Sequence, residues 1–312
     1  MTCTTSIPES NIRLIGCDGG DTFHLLGEDA GTEGVNLLED GFEGLIEAQI
    51  KVMERTPVRM DGAILRAVKT AVMEVTLEVS IDSRWVNDTF AEVDGALREA
   101  FSFELDRYYS DSTLARIEWE TGDGVRWIDV VLTEGQDYQV HRDPNRRGWW
   151  VWKIALKAYE PFWKADTVTT PLVFAEPGVQ QIEIANLSGV PMRQKWVGTV
   201  AQWRLPDNSW SGRRWNRAPG GRFPTRTVLY PALTTLNGGI VVDYTPGELP
   251  VRDKNDTNLI ATMPVPGDYP KFCIPEFTQP QLVTVEAVQV PPGGAAIVLH
   301  QPRRFRRPWG RV

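Results

Sequence analysis

The chain has 312 residues, 42% of them hydrophobic and 24% charged, with a formal net charge of −8. One hydrophobic core stops growing at roughly 250–300 residues, so two domains are expected, and the ordinary apolar and charged content excludes disorder on a large scale. The acidic total argues against general nucleic-acid binding, which needs a basic surface to displace counterions, and no apolar run approaches the ~20 residues of a membrane-spanning helix.

Twelve tryptophans, 27 glycines and 22 prolines favour strands and turns over long helices. The opening Met1-Thr2-Cys3-Thr4-Thr5 has no basic or apolar region of the kind a secretory signal carries. Short strands are expected over 12–15 and 22–26, punctuated by Gly16, Gly19, Gly20, Gly27, Gly31 and Gly34. Residues 18–61 are strongly acidic, and their Gly/Asp/Glu-rich part reads as a connector or as an arm that orders only on a partner. Residues 75–81 alternate apolar with Thr, Glu and Ser, the pattern of a half-buried strand. Phe90, Val93, Leu97 and Phe101 then recur at helical spacing, with Asn87 or Asp88 as cap and an end near Glu104. Strands over 113–119 and 125–132 flank a Gly122-Asp123-Gly124 turn. Residues 149–158 form a strand with Trp150, Trp152, Ile154 and Leu156 on one face, and Trp149, Val151, Lys153 and Lys157 on the other.

Pro161 in Tyr159-Glu160-Pro161-Phe162-Trp163 stops ladder pairing and marks the domain boundary. Domains are expected over 1–163 and 164–312. In the second, helical signals vanish, and short strands are expected over 181–186, 196–203, 227–233, 240–244, 282–290 and 295–300. Many short strands separated by turns read as a β-sandwich or jelly roll. The fold class is therefore mainly β. Residues 204–226 and Arg303-Arg304-Phe305-Arg306-Arg307 are basic. Opposite charge in different regions suits subunit contacts; equally, the last run reads as a solvated basic tail.

Chemistry is sparse. Cys3, Cys17 and Cys273 are odd in number and loosely spaced, which argues against a disulfide framework or a zinc site and for reduced thiols. Whether Cys3 pairs with Cys17 stays open. His24, His141 and His300 lie far apart, with no carboxylate or cysteine at ligand spacing. Gly16-Cys17-Asp18-Gly19-Gly20 lacks the Gly-Lys-Ser/Thr ending of a phosphate loop. Asp207 and Glu248 can be named for sugar hydrolysis, but nothing selects that pair. No cofactor, metal site or enzymatic role is expected. The one stretch with binding character is 203–217, where Trp203, Trp210, Arg213, Arg214, Trp215 and Arg217 offer contact area with polar handles. These residues read as a protein contact, as a sugar platform, or as two tryptophans packed under a hairpin with arginines facing water.

Four stretches in this order are similar to the distal tail proteins, minor tail proteins of long-tailed phages of actinobacteria. They are 57–81, the helix over 88–104, the strands over 126–132 and 150–163 closing on Pro161-Phe162-Trp163, and a C-terminal half with 239–246, 274–278 and Pro308-Trp309-Gly310. Together they span most of the chain. The resemblance implies an N-terminal belt β-sandwich with one helix, built into a hexameric ring at the virion tail tip, and a galectin-like β-sandwich projecting outward. It implies tail tube protein on one ring face, tail hub and other minor tail proteins on the other, and DNA only in transit through the lumen. It implies assembly in the host cytoplasm and no membrane partner. The acidic N-terminal stretch would then suit the lumen wall. The His/Asn/Arg/Trp/Glu set of galactoside-binding galectins is missing, Trp215-Asn216-Arg217 being only a fragment of it. A carbohydrate-binding module for host cell-wall polymers is the alternative.

Overall fold

The computed structural model describes residues 10–58, 61–133 and 143–310. Cys3 and His141 lie outside them. The chain is mainly β and forms two compact units. The first runs up to Lys164 and takes back Arg306–Gly310; the second is Ala165–Phe305. Among the described residues no helix is long and apolar enough to cross a membrane.

The first unit contains β1 (Asn11–Ile15), β2 (Thr22–Leu26), β3 (Val35–Glu43), β4 (Ile50–Arg55), β5 (Ile64–Thr70), β6 (Met73–Asp82), α1 (Phe90–Glu99), β7 (Ala115–Thr121), β8 (Gly124–Leu132), the short α2 (Pro144–Arg147) and β9 (Trp149–Ala158). One antiparallel sheet runs β2-β1-β7-β8 and another runs β3-β6-β9. Strand β8 joins them: its first part pairs with β7, and Val131 and Leu132 pair with Lys157 and Leu156 of β9. A strand that changes sheets in this way makes the corner of a sandwich.

Alternation decides the faces. Met73, Val75, Leu77, Val79 and Ile81 are buried, while the residues between them look outward. On β9, Trp152, Ile154, Leu156 and Ala158 are buried; Trp150, expected beside them, is only half-buried, at the start of the strand opposite Ile81. Helix α1 buries Phe90, Val93 and Leu97. Its cap is Thr89, not Asn87 or Asp88: the Thr89 hydroxyl accepts from the Glu92 N–H, and the Glu92 carboxylate accepts from the Thr89 N–H at 2.7 Å. That reciprocal pair fixes the helix start at Phe90, one or two residues later than expected. The helix also stops at Glu99, earlier than expected.

The acidic glycine-rich run is no free arm. It carries β3 into pairing with β6, and Val35, Leu37 and Leu45 are buried. Gly44 allows the close passage of this segment: a Cβ there would meet the Glu74 carbonyl at 2.0 Å.

The chain enters the second unit within β10 (Trp163–Phe174), a strand that sequence reasoning missed. There follow β11 (Gly178–Asn186), β12 (Lys195–Gly198), β13 (Gln202–Pro206), β14 (Trp210–Ser211), β15 (Ala218–Pro219), β16 (Thr227–Leu229), β17 (Ile240–Asp243), β18 (Val251–Asp253), β19 (Thr278–Gln289) and β20 (Ala295–Phe305). One sheet runs β18-β17-β12-β20 with β10 beside β20; the other runs β11-β19-β13-β16. Trp196, Trp203, Tyr230, Val285, Ile297 and Leu299 belong to the core of this unit. The single strand expected over 196–203 is two strands in different sheets. Gly198 makes the break possible, since a Cβ there would lie 2.8 Å from Trp203 Nε1, which donates to the Thr199 carbonyl at 3.1 Å. The basic run 303–307 is no solvated tail. Arg304 and Phe305 are buried in β20, Arg304 donates to the Pro191 carbonyl at 2.6 Å, and the chain then returns to the first unit.

Candidate functional site

The structure separates the six residues singled out between 203 and 217. Trp203 is fully buried and meets Phe174 edge-on at 5.6 Å, so it holds the core and offers no contact surface. Trp210 is half-buried against the same core. Arg213, Arg214 and Trp215 lie exposed on the loop between β14 and β15. Trp215 adopts a φ of 65° and packs on Phe277 with ring centroids 4.6 Å apart; Phe277 itself has a φ of 59°. Left-handed backbone at two bulky aromatics is strained, and it is held here by the Trp215 N–H donating to the Phe277 carbonyl at 3.1 Å. The Arg214 guanidinium lies 5.2 Å from the Phe277 ring, and Arg217, half-buried, pairs with Glu276 at 2.8 Å. What this loop presents outward is Arg213, Arg214 and one face of Trp215.

The carboxylates considered for hydrolysis are each engaged with an arginine. Asp207 is fully buried at its side chain. It accepts from the backbone N–H groups of Lys271 (3.1 Å) and Phe272 (2.9 Å) and from the Tyr244 hydroxyl (3.1 Å), and it pairs with Arg226. Arg226 also pairs with Asp268 and donates to the Tyr269 carbonyl at 3.0 Å. This network staples residues 268–272 to the end of β13. Burial pushes the Tyr230 and Tyr244 hydroxyls well above their ordinary pKa. Glu248 is exposed and pairs with Arg252 at 3.1 Å. Among the described residues no group of three or more His, Cys, Asp or Glu side chains is arranged to hold a metal ion.

In the first unit, the returning segment forms a clasp. Arg126 is buried, and its guanidinium donates to the carbonyls of Arg307 (2.8 Å) and Gly310 (2.7 Å). Burial lowers its pKa, partly offset by Asp123, which accepts from the Gly310 N–H at 2.8 Å. Arg307 pairs with Glu47 at 2.7 Å. Trp309 meets Trp119 edge-on at 5.3 Å, and Trp119 meets Trp163 at 6.0 Å. Trp163 is fully buried and donates to the Ile46 carbonyl at 3.1 Å, so the tryptophan after Pro161 belongs to the first core.

The feature sequence reasoning missed is the ribbon β4–β5. Among the described residues these strands pair with each other and with no other sheet strand. The register places Val52 opposite Val68 and Ile50 opposite Thr70 on one face, and Lys51 opposite Lys69 on the other. Ile50, Val52 and Val68 are 50%, 57% and 55% exposed. A lone two-stranded ribbon is marginal in water, its outer edges are unpaired, and contiguous exposed apolar surface marks an interaction site. The signal was present in the alternating Ile50-Lys51-Val52-Met53 and in the β-branched residues after Gly62, but no turn motif tied the halves together.

No protein-family model matches the chain, and no curated protein does. Solved structures do. The crystal structure of the SPP1 Dit protein, described as a paradigm of the hub adsorption apparatus in phages infecting Gram-positive bacteria, aligns over 93% of this chain and 98% of its own, at 13% identity and a TM-score of 0.50. The chain has the Dit fold. Chains of the phage p2 baseplate in its activated conformation are similar at 10% identity: one, with Sr, covers 96% of this chain and 98% of its own at a TM-score of 0.43, and one, with Ca, covers 95% and 98% at 0.44.

Proposed function

We infer that this protein is a structural component of a phage tail tip, a distal tail protein whose first unit builds a ring, of six copies, between the tail tube and the tail hub. The observation that carries this reading is the Dit fold running through both units, over 93% of this chain and 98% of SPP1 Dit. The exposed apolar ribbon β4–β5 supports it, because a subunit meant to be solitary would not leave that face wet. The role is mechanical, without catalysis or cofactor. The ring joins its neighbours and leaves a lumen through which DNA passes during ejection. Electron microscopy of intact tails tests it: antibody against the chain marks the tail tip, and a ring of copies with acidic side chains toward its axis occupies that level. Absence from the particle, or a place along the tube or on the capsid, overturns it.

A second reading rests on the loop around Trp215. An exposed indole flanked by Arg213 and Arg214 is a surface on which a sugar ring can stack. Pull-down on host cell wall that is lost in Trp215→Ala supports it; no binding to any host envelope removes it.

A further inference from the structure

A buried indole needs an acceptor for its N–H, because that nitrogen can only donate. Most of the buried tryptophans find one in the protein. Trp119 donates to the Ser10 hydroxyl, Trp163 to the Ile46 carbonyl at 3.1 Å and Trp203 to the Thr199 carbonyl at 3.1 Å. Trp196 is buried as deeply, at 1% exposure, yet its Nε1 has no protein partner. It lies on β12, where alternate residues share a face, and Gln194 stands two positions before it. Gln194 is 4% exposed. Its Nε2 donates to the Phe272 carbonyl at 3.0 Å, which fixes the orientation of the amide, and its Oε1 has no protein partner. A buried donor and a buried acceptor, both unpaired within the protein, therefore sit on the same face of one strand. Leaving either without a partner is costly.

Both residues line one small cavity of the second unit, of about 20 Å³. Ile184 and Val283 wall it from the opposite sheet, and Asp207 and the half-buried Trp210 complete it. Its size admits a single water, which needs roughly 10–15 Å³, and is too small for a sugar ring. The chemistry of the walls narrows the occupant further. It must accept from the indole N–H and donate to the amide oxygen. A metal cation has no use for an N–H. An anion has nothing to donate to Oε1 and would face the Asp207 carboxylate. An apolar guest would leave both groups unsatisfied. Water is neutral, small and does both.

We propose that one water is built into this core, accepting from Trp196 Nε1 and donating to Gln194 Oε1. It completes a run of hydrogen bonds that crosses from one sheet of the unit to the other. The run starts at Trp196 on β12 and passes through the water to Gln194. From there it reaches the Phe272 carbonyl, and the Phe272 N–H carries it on to Asp207 just beyond β13. The network that staples residues 268–272 thereby extends to the far sheet. This site serves the packing of the second unit and is independent of the tail-tip reading.

Two measurements on the full chain test it. A high-resolution crystal structure should show one solvent peak within about 2.7–3.2 Å of both Trp196 Nε1 and Gln194 Oε1. In solution, NMR of the chain with isotope-labelled tryptophan should show a cross peak between water and the Trp196 indole proton, of the sign that marks a long-lived water. The Trp163 and Trp203 indoles, bonded to carbonyls, should show none, and Trp196→Phe identifies the peak by its loss. Clear density for the walls with no solvent peak between the two atoms overturns the proposal. So does a Trp196 N–H found bonded to a protein carbonyl, or a Trp196 cross peak no stronger than that of Trp203. A solvent peak bonded to Trp196 but not to Gln194 overturns the bridge. The crystal structure needs no variant, so it decides the matter even where Trp196→Phe does not fold.

Discussion

Trp119 is the residue on which the first unit closes. Phe42 from β3, Trp163 from the start of β10 and Trp309 from the returning segment all meet its ring edge-on, at 5.5, 6.0 and 5.3 Å. Edge-to-face pairs contribute roughly 0.5–1.5 kcal/mol each beyond burial. Trp163→Ala is therefore expected to destabilise the first unit by about 3–5 kcal/mol in urea unfolding, the usual range for emptying a buried aromatic site. Trp163→Phe keeps a ring there, loses the bond to the Ile46 carbonyl, and should cost less than the alanine variant. In the second unit the corresponding single point is Asp207. Asp207→Asn removes a buried charge facing the mostly buried Arg226, and breaking a buried pair from one side costs about 3–5 kcal/mol. Asp207→Leu/Arg226→Met should recover part of that loss; equal instability of the single and double variants would contradict this account.

At the scale of elements, legibility followed periodicity. Strands β6 and β9 alternate so regularly that their faces could be read from the residues, and α1 announced itself through Phe90, Val93 and Leu97. Three elements escaped for physical reasons. Strand β10 carries Pro171 and a polar middle, so it has neither alternation nor a continuous apolar run. The ribbon β4–β5 has alternation but buries none of it, so no core pattern singles it out. The clasp 306–310 has no regular structure, and its arginines read as solvated charge, whereas two of its carbonyls are held by a buried arginine far away in sequence. The candidate contact residues fared similarly: composition cannot distinguish Trp203, wholly buried, from Trp215, which is exposed. The clasp can be checked directly. Arg126→Met removes two charge-assisted hydrogen bonds and should cost about 3 kcal/mol or more. Trp309→Ala should weaken the same unit, and the double variant should lose less than the sum, because both substitutions release one segment.

For the molecule as a whole, acid is the expected weakness of the first unit. Burial tends to raise the Glu33 pKa, but the His24 N–H, the His24 ring and the Thr32 hydroxyl outweigh it, so the carboxyl titrates below its ordinary value. Asp82 is lowered by its bond to the Arg84 guanidinium. A carboxyl with a depressed folded pKa contributes stability above the unfolded value of about 4, and that stability is lost as the pH falls through the lower folded value. Tm should fall as the pH drops below about 4. In Glu33→Gln/Asp82→Asn it should be lower at pH 7 and fall less steeply in acid, so that the two curves converge; parallel curves would contradict the assignment.

The return of Arg306–Gly310 also gives the protein a clock. A ribosome makes the body of the first unit, then all of Ala165–Phe305, and only then the segment that closes on Trp119 and Arg126. At roughly 5–20 residues per second that delay is on the order of ten seconds. Throughout it, the nascent first unit lacks its last piece, and a chain broken anywhere in the second unit never receives it. Interrupted synthesis therefore produces chains whose first unit stays unsealed, without the Trp309 contact to Trp119 or the bonds from Arg126.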